Sequence, residues 1–245
     1  EVWSARHRAT GVRVAIKQVR KPGVGETVKS YRIKEEISAI RRVKHPGIVQ
    51  LYKVLMLKNN VYIVMELVEG GLLIDHILEH EGGMPEHLCQ WYARQLFEAM
   101  ACCHDHMVCH RDVKPENLLV ERWGSLKVAD FGFARIHDAS PAVAVGTKTP
   151  DVLLDGAATT VRGTEGYIAP EIFSRQRYSG GQADVWSCGE VVFNMESGAM
   201  PFRTRSPGDG GLLRRAYPAM PDSFGEDLVH FLKRCMDPVP EERFT

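Results

Sequence analysis

The chain of 245 residues is 44% apolar and 25% charged, proportions that are typical of a globular protein and exclude a disordered, collagen-like or coiled-coil chain. Its 31 basic side chains balance 31 acidic ones, so no net charge favours nucleic acid or an anionic membrane as a partner. The longest apolar runs have five residues, as in Val61–Met65, whereas a membrane-spanning helix needs roughly 20. No signal or transit peptide is visible, and the six cysteines are too sparse for a disulfide scaffold. We therefore expect an intracellular, cytoplasmic protein with free thiols, folded as one large domain or two small ones.

The first part of the chain predicts strands around one helix. Alternating apolar residues predict a strand over Val12–Val19. An apolar stripe with helical spacing predicts a helix over Thr27–Lys44, which ends before Pro46. Two further strands, Ile48–Leu55 and Val61–Leu67, are predicted on either side of a polar turn.

After Glu69-Gly70-Gly71 the pattern becomes mainly helical. Pro85 begins a helix with one apolar stripe. Residues 183–197 are apolar on most sides, which predicts a helix in the core with Gly198 as its cap. A further helix is predicted before Asp237-Pro238.

The change from strands to helices predicts an α+β protein with two lobes and a cleft between them. The predicted N-terminal lobe is 1–68 and the predicted C-terminal lobe is 69–245. Between Ile136 and Arg162 the chain is rich in Ala, Gly, Thr and Pro and shows no element pattern. Structureless stretches of this length are usually functional or disordered.

Four motifs occur in series along the chain: Val14-Ala15-Ile16-Lys17, His110-Arg-Asp-Val-Lys-Pro-Glu-Asn117, Asp130-Phe131-Gly132 and Ala169-Pro170-Glu171. Each falls on the element that it requires, with the lysine on a strand and the longest run in a loop. Over nearly its whole length the sequence resembles the protein kinase family. The resemblance implies a bilobal fold with a small antiparallel β-lobe, one helix, and a larger helical lobe. It also implies transfer of the γ-phosphate of ATP, with Mg²⁺, to a protein hydroxyl.

The resemblance assigns roles to the residues of the longest run and of the Asp-Phe-Gly motif. Asp112 would accept the proton of the substrate hydroxyl, and Lys114 would steady the γ-phosphate. Asn117 and Asp130 would hold Mg²⁺, because a hard cation prefers oxygen ligands.

The resemblance also implies that Lys17 contacts the α- and β-phosphates, which requires an anion to hold its ammonium in place. Glu36 is the candidate, because it lies beside the apolar stripe of its helix and ten residues before Pro46, the spacing usual in the family. Glu35 is the competing candidate.

An adenine pocket follows from the same resemblance, with a side chain at its back, two backbone contacts and two apolar side chains against the ring. Met65 would lie at the back of the pocket, the backbone of Glu66 and Val68 would make the two contacts, and Ala15 and Leu119 would pack against the ring. Val2 would be the only remnant of the glycine-rich phosphate loop. The C-terminal end falls before the last helix of the family would finish. We therefore expect a fragment truncated at both ends.

Residues 130–171 resemble an activation segment that is longer than usual. Thr160 lies four residues before Thr164 and matches the position that an upstream kinase phosphorylates, with Thr159 and Thr149 as alternatives. Two arginines would form the phosphate pocket, since guanidinium groups suit phosphate oxygens: Arg111 and Arg135.

The acceptor class also comes from resemblance. Lys114-Pro115-Glu116-Asn117 and Thr164 are typical of serine/threonine kinases, in which Glu116 and Thr164 would lie beside the substrate. The segment 184–189, together with 166–171, is most similar to the calcium/calmodulin-dependent and AMP-activated kinase-like group. Asp184 would brace the catalytic-loop backbone.

Arg243 would pair with Glu171 as a structural ion pair. Met107 stands where the family usually has glycine. His110 is interpreted as a packed core histidine.

Two alternatives stay open at this point. A pseudokinase that binds nucleotide or acts as a scaffold would lack phosphate transfer, although Lys17, Asp112, Asn117 and Asp130 all argue against it. The run Cys102-Cys103-His104-Asp105-His106 and its continuation to His110 could ligate zinc, but no second ligand cluster accompanies it.

Overall fold

The fold is seen in a computed structural model, which describes residues 1–21, 27–136, 151–152, 167–174, 178–202 and 217–244. The model combines an antiparallel sheet with a mainly helical part, so the predicted α+β class is confirmed. Within the described ranges, no helix combines the length and the apolar character that crossing a membrane requires.

The N-terminal part is a four-stranded antiparallel sheet with one helix packed on it. The strands are β1 Val2–Arg6, β2 Arg13–Arg20, β3 Leu51–Met56 and β4 Asn60–Glu66, in the order β1-β2-β4-β3. The helix is α1, Thr27–Arg42. Buried side chains of α1 and β4 form a small core of their own: Ile33, Ile37, Val61 and Ile63.

The predicted strand Ile48–Leu55 is wrong in its first three residues. Ile48 pairs in parallel with Val128 rather than antiparallel with β4. The Val49 N–H donates to Val128 O at 3.0 Å, and the Val128 N–H donates to Gly47 O at 2.8 Å. Because these backbone groups already have partners outside the sheet, β3 begins only at Leu51. This short ladder fastens the connection after α1 to the rest of the molecule.

Among the residues that the structure describes, the second part of the chain contains four α-helices: α2 Leu73–Leu78, α3 Glu86–Asp105, α4 Gly180–Ser197 and α5 Glu226–Cys235. Helix α4 is buried along most of its length, and its Trp186 and Met195 are fully enclosed. It ends at Gly198, whose φ of 67° lies in the left-handed region and whose N–H donates to Asn194 O, as expected for a glycine cap. The predicted core helix is therefore confirmed.

Short strand pairs connect these helices to the functional loops. They are β5 Val108–Cys109 with β8 Arg135–Ile136, β6 Leu118–Val120 with β7 Leu126–Val128, and β9 Asp151–Val152 with β10 Tyr178–Ser179. None was predicted, because two or three residues are too short to show an alternating pattern. The β6–β7 pair holds the run that ends at Asn117 beside the segment that begins at Asp130.

Helices α4 and α5 approach each other closely at Gly189. A methyl group added there would lie 2.7 Å from Cys235 Cβ and 2.9 Å from Met236 Cγ, which is closer than carbon atoms pack. At Gly181, in the first turn of the same helix, the nearest atoms would belong to the His104 ring at 3.6 Å, an ordinary contact.

We therefore predict that Gly189→Ala lowers the free energy of unfolding by about 1–3 kcal/mol, because the two helices must move apart. Gly181→Ala should be neutral or stabilise the fold by up to about 1 kcal/mol, since alanine favours helix. Urea unfolding of both variants measures the difference. Equal stability of Gly189→Ala and the wild type would contradict this packing.

Candidate active site

The Lys17 ammonium lies between two carboxylates that come from distant parts of the chain. Its Nζ is 2.6 Å from Glu36 Oε1 and 2.7 Å from Asp130 Oδ1. Lys17 is on β2, Glu36 is on α1, and Asp130 follows β7. The competing residue Glu35 instead accepts a hydrogen bond from the Tyr31 hydroxyl at 2.8 Å. The structure thus places Glu36, and not Glu35, beside the lysine.

Electrostatics in this triad favour the charged forms of both partners. Burial lowers the pKa of Lys17, but the Glu36 and Asp130 carboxylates outweigh burial, so the net pKa is raised above 10.5. Burial likewise raises the pKa of Asp130, while the Lys17 ammonium and the Gly132 N–H lower it, and the net pKa falls below 3.8. An ion pair is therefore maintained across the neutral pH range.

Asp130 has a backbone conformation that is unusual for a residue with a side chain. Its φ of 58° and ψ of 77° are left-handed, which costs of order 1 kcal/mol and is found mainly at functional sites. Its Oδ1 accepts the Gly132 N–H at 3.2 Å. A methyl group on Gly132 would lie 3.1 Å from that oxygen, so a glycine keeps this turn uncrowded. The Asp130 side chain is 46% exposed and open to a ligand.

The catalytic-loop residues form a second, connected group. The buried Asp112 Oδ2 lies 3.0 Å from Lys114 Nζ and accepts a hydrogen bond from Asn117 Nδ2 at 2.8 Å. The same amide donates to Asp112 O at 2.8 Å. The Ala129 N–H donates to Asn117 O at 2.9 Å. Since Ala129 precedes Asp130, the two groups share one site.

Asp184 of α4 fixes the backbone of this loop through hydrogen bonds. Its two oxygens accept the N–H groups of His110 at 2.8 Å and Arg111 at 2.7 Å. It is 1% exposed, and a third contact joins it to His104 Nε2 at 3.0 Å. Motif reasoning missed His104. Its sequence signal was its place in the Cys/His run, which suggested zinc instead.

The zinc alternative finds no support in the geometry. Across the described residues there is no group of three or more His, Cys, Asp or Glu side chains that could hold a metal ion by themselves. His104 is committed to Asp184, and His110 is buried with its Nε2 3.0 Å from Ala129 O. The His110 ring also packs edge-on against Phe131, with centroids 4.9 Å apart. Met107, at the usual glycine position, has a left-handed φ of 59°.

Arg243 and Glu171 form a bidentate ion pair. Arg243 Nη1 and Nη2 donate to the two Glu171 oxygens at 2.7 and 2.8 Å. The guanidinium is buried and lies over the Trp186 ring of α4 at 4.8 Å. A planar fork of this kind matches a carboxylate in both geometry and charge. The pair anchors the segment that contains Ala169-Pro170-Glu171 to the helical core.

The residues predicted for the adenine pocket lie on or next to strands of both parts of the chain. Ala15 of β2 is paired with Met65 of β4, and Leu119 of β6 is bridged to Leu72. The Glu66 N–H already donates to Gln50 O at 2.9 Å, so Glu66 can offer a purine only its carbonyl oxygen. Two predicted residues complete the set: Val68, which follows β4, and Val2, which is exposed and paired with Lys17.

The comparison with known proteins decides the family. A family model of the protein kinase domain matches residues 1–245. The chain belongs to the protein kinase family. Kinase membership confirms the family and the fold class that the motifs predicted, and it implies ATP and a divalent metal.

Named relatives agree with the serine/threonine class. CBL-interacting serine/threonine-protein kinase 15 of Arabidopsis thaliana is 38% identical over 251 residues, which cover 100% of this chain and 55% of the relative. Putative CBL-interacting protein kinase 13 of Oryza sativa subsp. japonica is 40% identical over 248 residues, which cover 100% of this chain and 45% of the relative. The chain therefore spans about half the length of the curated relatives that it matches.

The predicted phosphate pocket is only partly placed. Arg135 pairs with Cys109 through β8 and β5, and its Nε is 4.0 Å from Glu35 Oε1. Arg111 has a left-handed φ of 66°. Glu116 is exposed on a 3₁₀ turn, Pro115–Asn117. The remaining predicted residues lie outside the described part of the chain: Thr149, Thr159, Thr160 and Thr164.

The donor set fits Mg²⁺. Asn117 and Asp130 contribute amide and carboxylate oxygens, which are the hard ligands that this cation takes in kinases. The Asp130 side chain is 46% exposed and the Lys17 side chain is 23% exposed, so both are accessible to a metal–triphosphate.

The signs of the two pKa shifts predict a plateau in stability. The Asp130 contribution is present above 3.8 and is lost as the pH falls through the lower folded-state value. The Lys17 contribution is present below 10.5 and is lost as the pH rises through the higher folded-state value. The difference in unfolding free energy between wild type and Asp130→Asn should therefore stay constant between about pH 5 and 9 and shrink in acid. Urea unfolding across this range measures it, and a difference that grows on acidification would contradict the ion pair.

Proposed function

We propose that this chain is the catalytic domain of a serine/threonine protein kinase, which transfers the γ-phosphate of ATP to a hydroxyl group of a protein. The observation that carries the proposal is the joint placement of the Lys17–Glu36–Asp130 triad and the Asp112–Lys114–Asn117 group, joined through Ala129. Lobes 1–68 and 69–245 form the two sides of the nucleotide cleft. The names of the relatives support serine or threonine as the acceptor.

Proton transfer is the task of Asp112. Its Oδ2 is held by Lys114 and Asn117, so the carboxylate keeps one orientation while a substrate hydroxyl approaches. Asp112 accepts the hydroxyl proton as the oxygen attacks the γ-phosphorus and the bond to the β-phosphate oxygen breaks. A base in this position typically contributes a factor of about 10²–10⁴ to the rate.

Charge neutralisation is the second requirement of phosphoryl transfer. Lys17 binds the α- and β-phosphates, held in position by Glu36, and Lys114 contacts the γ-phosphate. Asn117 and Asp130 hold Mg²⁺, which when bound neutralises negative charge on the phosphate oxygens. Ala15, Met65, Leu119 and the backbone of Glu66 and Val68 enclose the purine, and Val2, the remnant of the glycine-rich loop, also contacts ATP.

The family resemblance also suggests how the substrate is bound and how the site is regulated. The exposed Glu116 carboxylate favours a basic residue near the acceptor, and the family resemblance assigns Thr164 to contact with the acceptor. An upstream kinase phosphorylates Thr160 in the activation segment 130–171, and Arg111 and Arg135 bind that phosphate.

For the protein as a whole, we propose a CBL protein as a binding partner, because its relatives are named CBL-interacting kinases. The free thiols support a reducing, intracellular location.

The test is Asp112→Asn, with Asp75→Asn, an exposed position on α2, as the matched control. Loss of the base should lower kcat for phosphorylation of a basic serine peptide by about 10²-fold or more while the affinity for ATP·Mg stays nearly unchanged. The control should keep wild-type kinetics. An Asp112→Asn variant with the wild-type rate would contradict the mechanism. Wild-type protein that binds ATP without any transfer would favour the pseudokinase.

A further inference from the structure

Lys127, the middle residue of β7, is buried although it carries a charge. It is 8% exposed, and an ammonium is rarely enclosed to this degree unless its charge is paired. Its Nζ donates to Pro46 O at 2.8 Å and lies 2.8 Å from Glu66 Oε1. A second carboxylate, Glu121 Oε1, is 3.6 Å away. Neither the phosphate chemistry nor the proton transfer above uses this lysine.

The partners of Lys127 belong to both sides of the cleft. Pro46 follows α1 and Glu66 ends β4, whereas Lys127 lies on β7 and Glu121 directly follows β6. Glu66 is held from two directions, because its Oε2 also accepts the Gln50 N–H at 3.1 Å. Lys127 therefore fixes the residue whose carbonyl faces the purine.

The same strand leads directly to the metal-binding residue. Val128, next to Lys127, exchanges backbone hydrogen bonds with Gly47 and Val49, so β7 cannot slide along the segment after α1. Asp130 follows two residues later and binds Lys17. Strand β7 therefore connects two groups. Lys127 holds the segment proposed to bind the purine, and Asp130, which follows the strand, supplies the carboxylate at the phosphate site.

We propose that Lys127 is a positioning residue that sets the distance between the purine contacts at Glu66–Val68 and the phosphate-binding groups at Lys17 and Asp130. This inference rests on the proposed nucleotide site. Lys127 touches neither purine nor phosphate and acts through the Glu66 side chain and the Pro46 carbonyl. Loss of the Lys127 ammonium displaces the Glu66 carbonyl relative to β7, so nucleotide affinity falls while the proton-transfer geometry at Asp112 is retained.

A purely structural role for this buried ion pair predicts something different. It would lower the unfolding temperature and reduce the fraction of active protein, without changing the affinity of the folded fraction for its ligands. The positioning role changes affinity, and it changes it at the purine end. Adenosine, which has no phosphates, therefore separates the two roles.

The experiment compares Lys127→Met, Glu66→Gln and the double variant with Lys58→Met, in which the lysine is exposed between β3 and β4. Calorimetric titration below the unfolding temperature measures binding of adenosine and of ATP·Mg, and peptide kinetics give KM for ATP and kcat. Lys127→Met should weaken binding of both ligands about tenfold, the value of one hydrogen bond between the Glu66 carbonyl and the purine, with kcat within about twofold of the wild type. Glu66→Gln, the milder change, should shift both affinities in the same direction even if Lys127→Met folds poorly. Losses in the double variant should be smaller than the product of the single losses, because the two residues act together.

Three results would contradict the positioning role. Unchanged adenosine affinity in both single variants, a loss confined to ATP·Mg, or an equal loss in Lys58→Met would overturn the positioning role. Lys17→Met serves as the phosphate-end reference, since it should weaken ATP·Mg and leave adenosine binding unchanged. Wild-type protein that binds neither ligand would instead overturn the proposed function, and this inference with it.

Discussion

The site depends on one ammonium group that must find negative partners inside the protein. Lys17 is too enclosed to be solvated fully by water, and it satisfies its charge with carboxylates that lie 19 and 113 residues away along the chain. Because the Lys17 charge must be paired, the sheet, helix α1 and the turn at Asp130 meet at this point. A buried charge costs several kcal/mol if its partner is removed, so the arrangement of the three segments is coupled to the pairing itself.

Helix α4 supports the loop at 110–117, also through buried charges that are paired. Its Asp184 binds two backbone N–H groups of the catalytic loop, and its Trp186 lies under the Arg243 guanidinium. Both charged residues are almost fully buried and both are paired. The helix thus carries its polar contacts on a tightly packed core, where Gly189 allows α5 to approach. A loop held in left-handed backbone conformations at Met107 and Arg111 needs such a rigid support.

The sequence predicted the long elements and the polar members of the site for different reasons. Helices α1 and α3 have enough turns to show a 3.6-residue pattern, and α4 was predicted because it is apolar on most sides and is followed by Gly198. The motifs identified Asp112, Asn117 and Asp130 through family resemblance. The two-residue strands were missed because alternation needs length. Ile48 was predicted to begin the strand Ile48–Leu55, because an apolar residue looks the same in the sequence whether it belongs to that strand or to the isolated bridge with Val128.

Residues that act through distant contacts were also beyond the sequence. His104 and Lys127 have no local pattern that names their partners, since Asp184 lies 80 residues from the first and Glu66 lies across the cleft from the second. Nor could the left-handed conformation of Asp130 be read from its type, because only a small fraction of aspartates adopt it, although they do so more often than most residues. These features become visible only when the chain is folded.

The most direct test of convergence is a crystal structure of the protein with Mn²⁺ and a non-hydrolysable ATP analogue, with the metal located by its anomalous scattering. We expect the Mn²⁺ peak within about 2.5 Å of side-chain oxygens of Asn117 and Asp130, with a phosphate oxygen within hydrogen-bonding distance of Lys17 Nζ. A metal and triphosphate bound away from these three side chains would contradict the account.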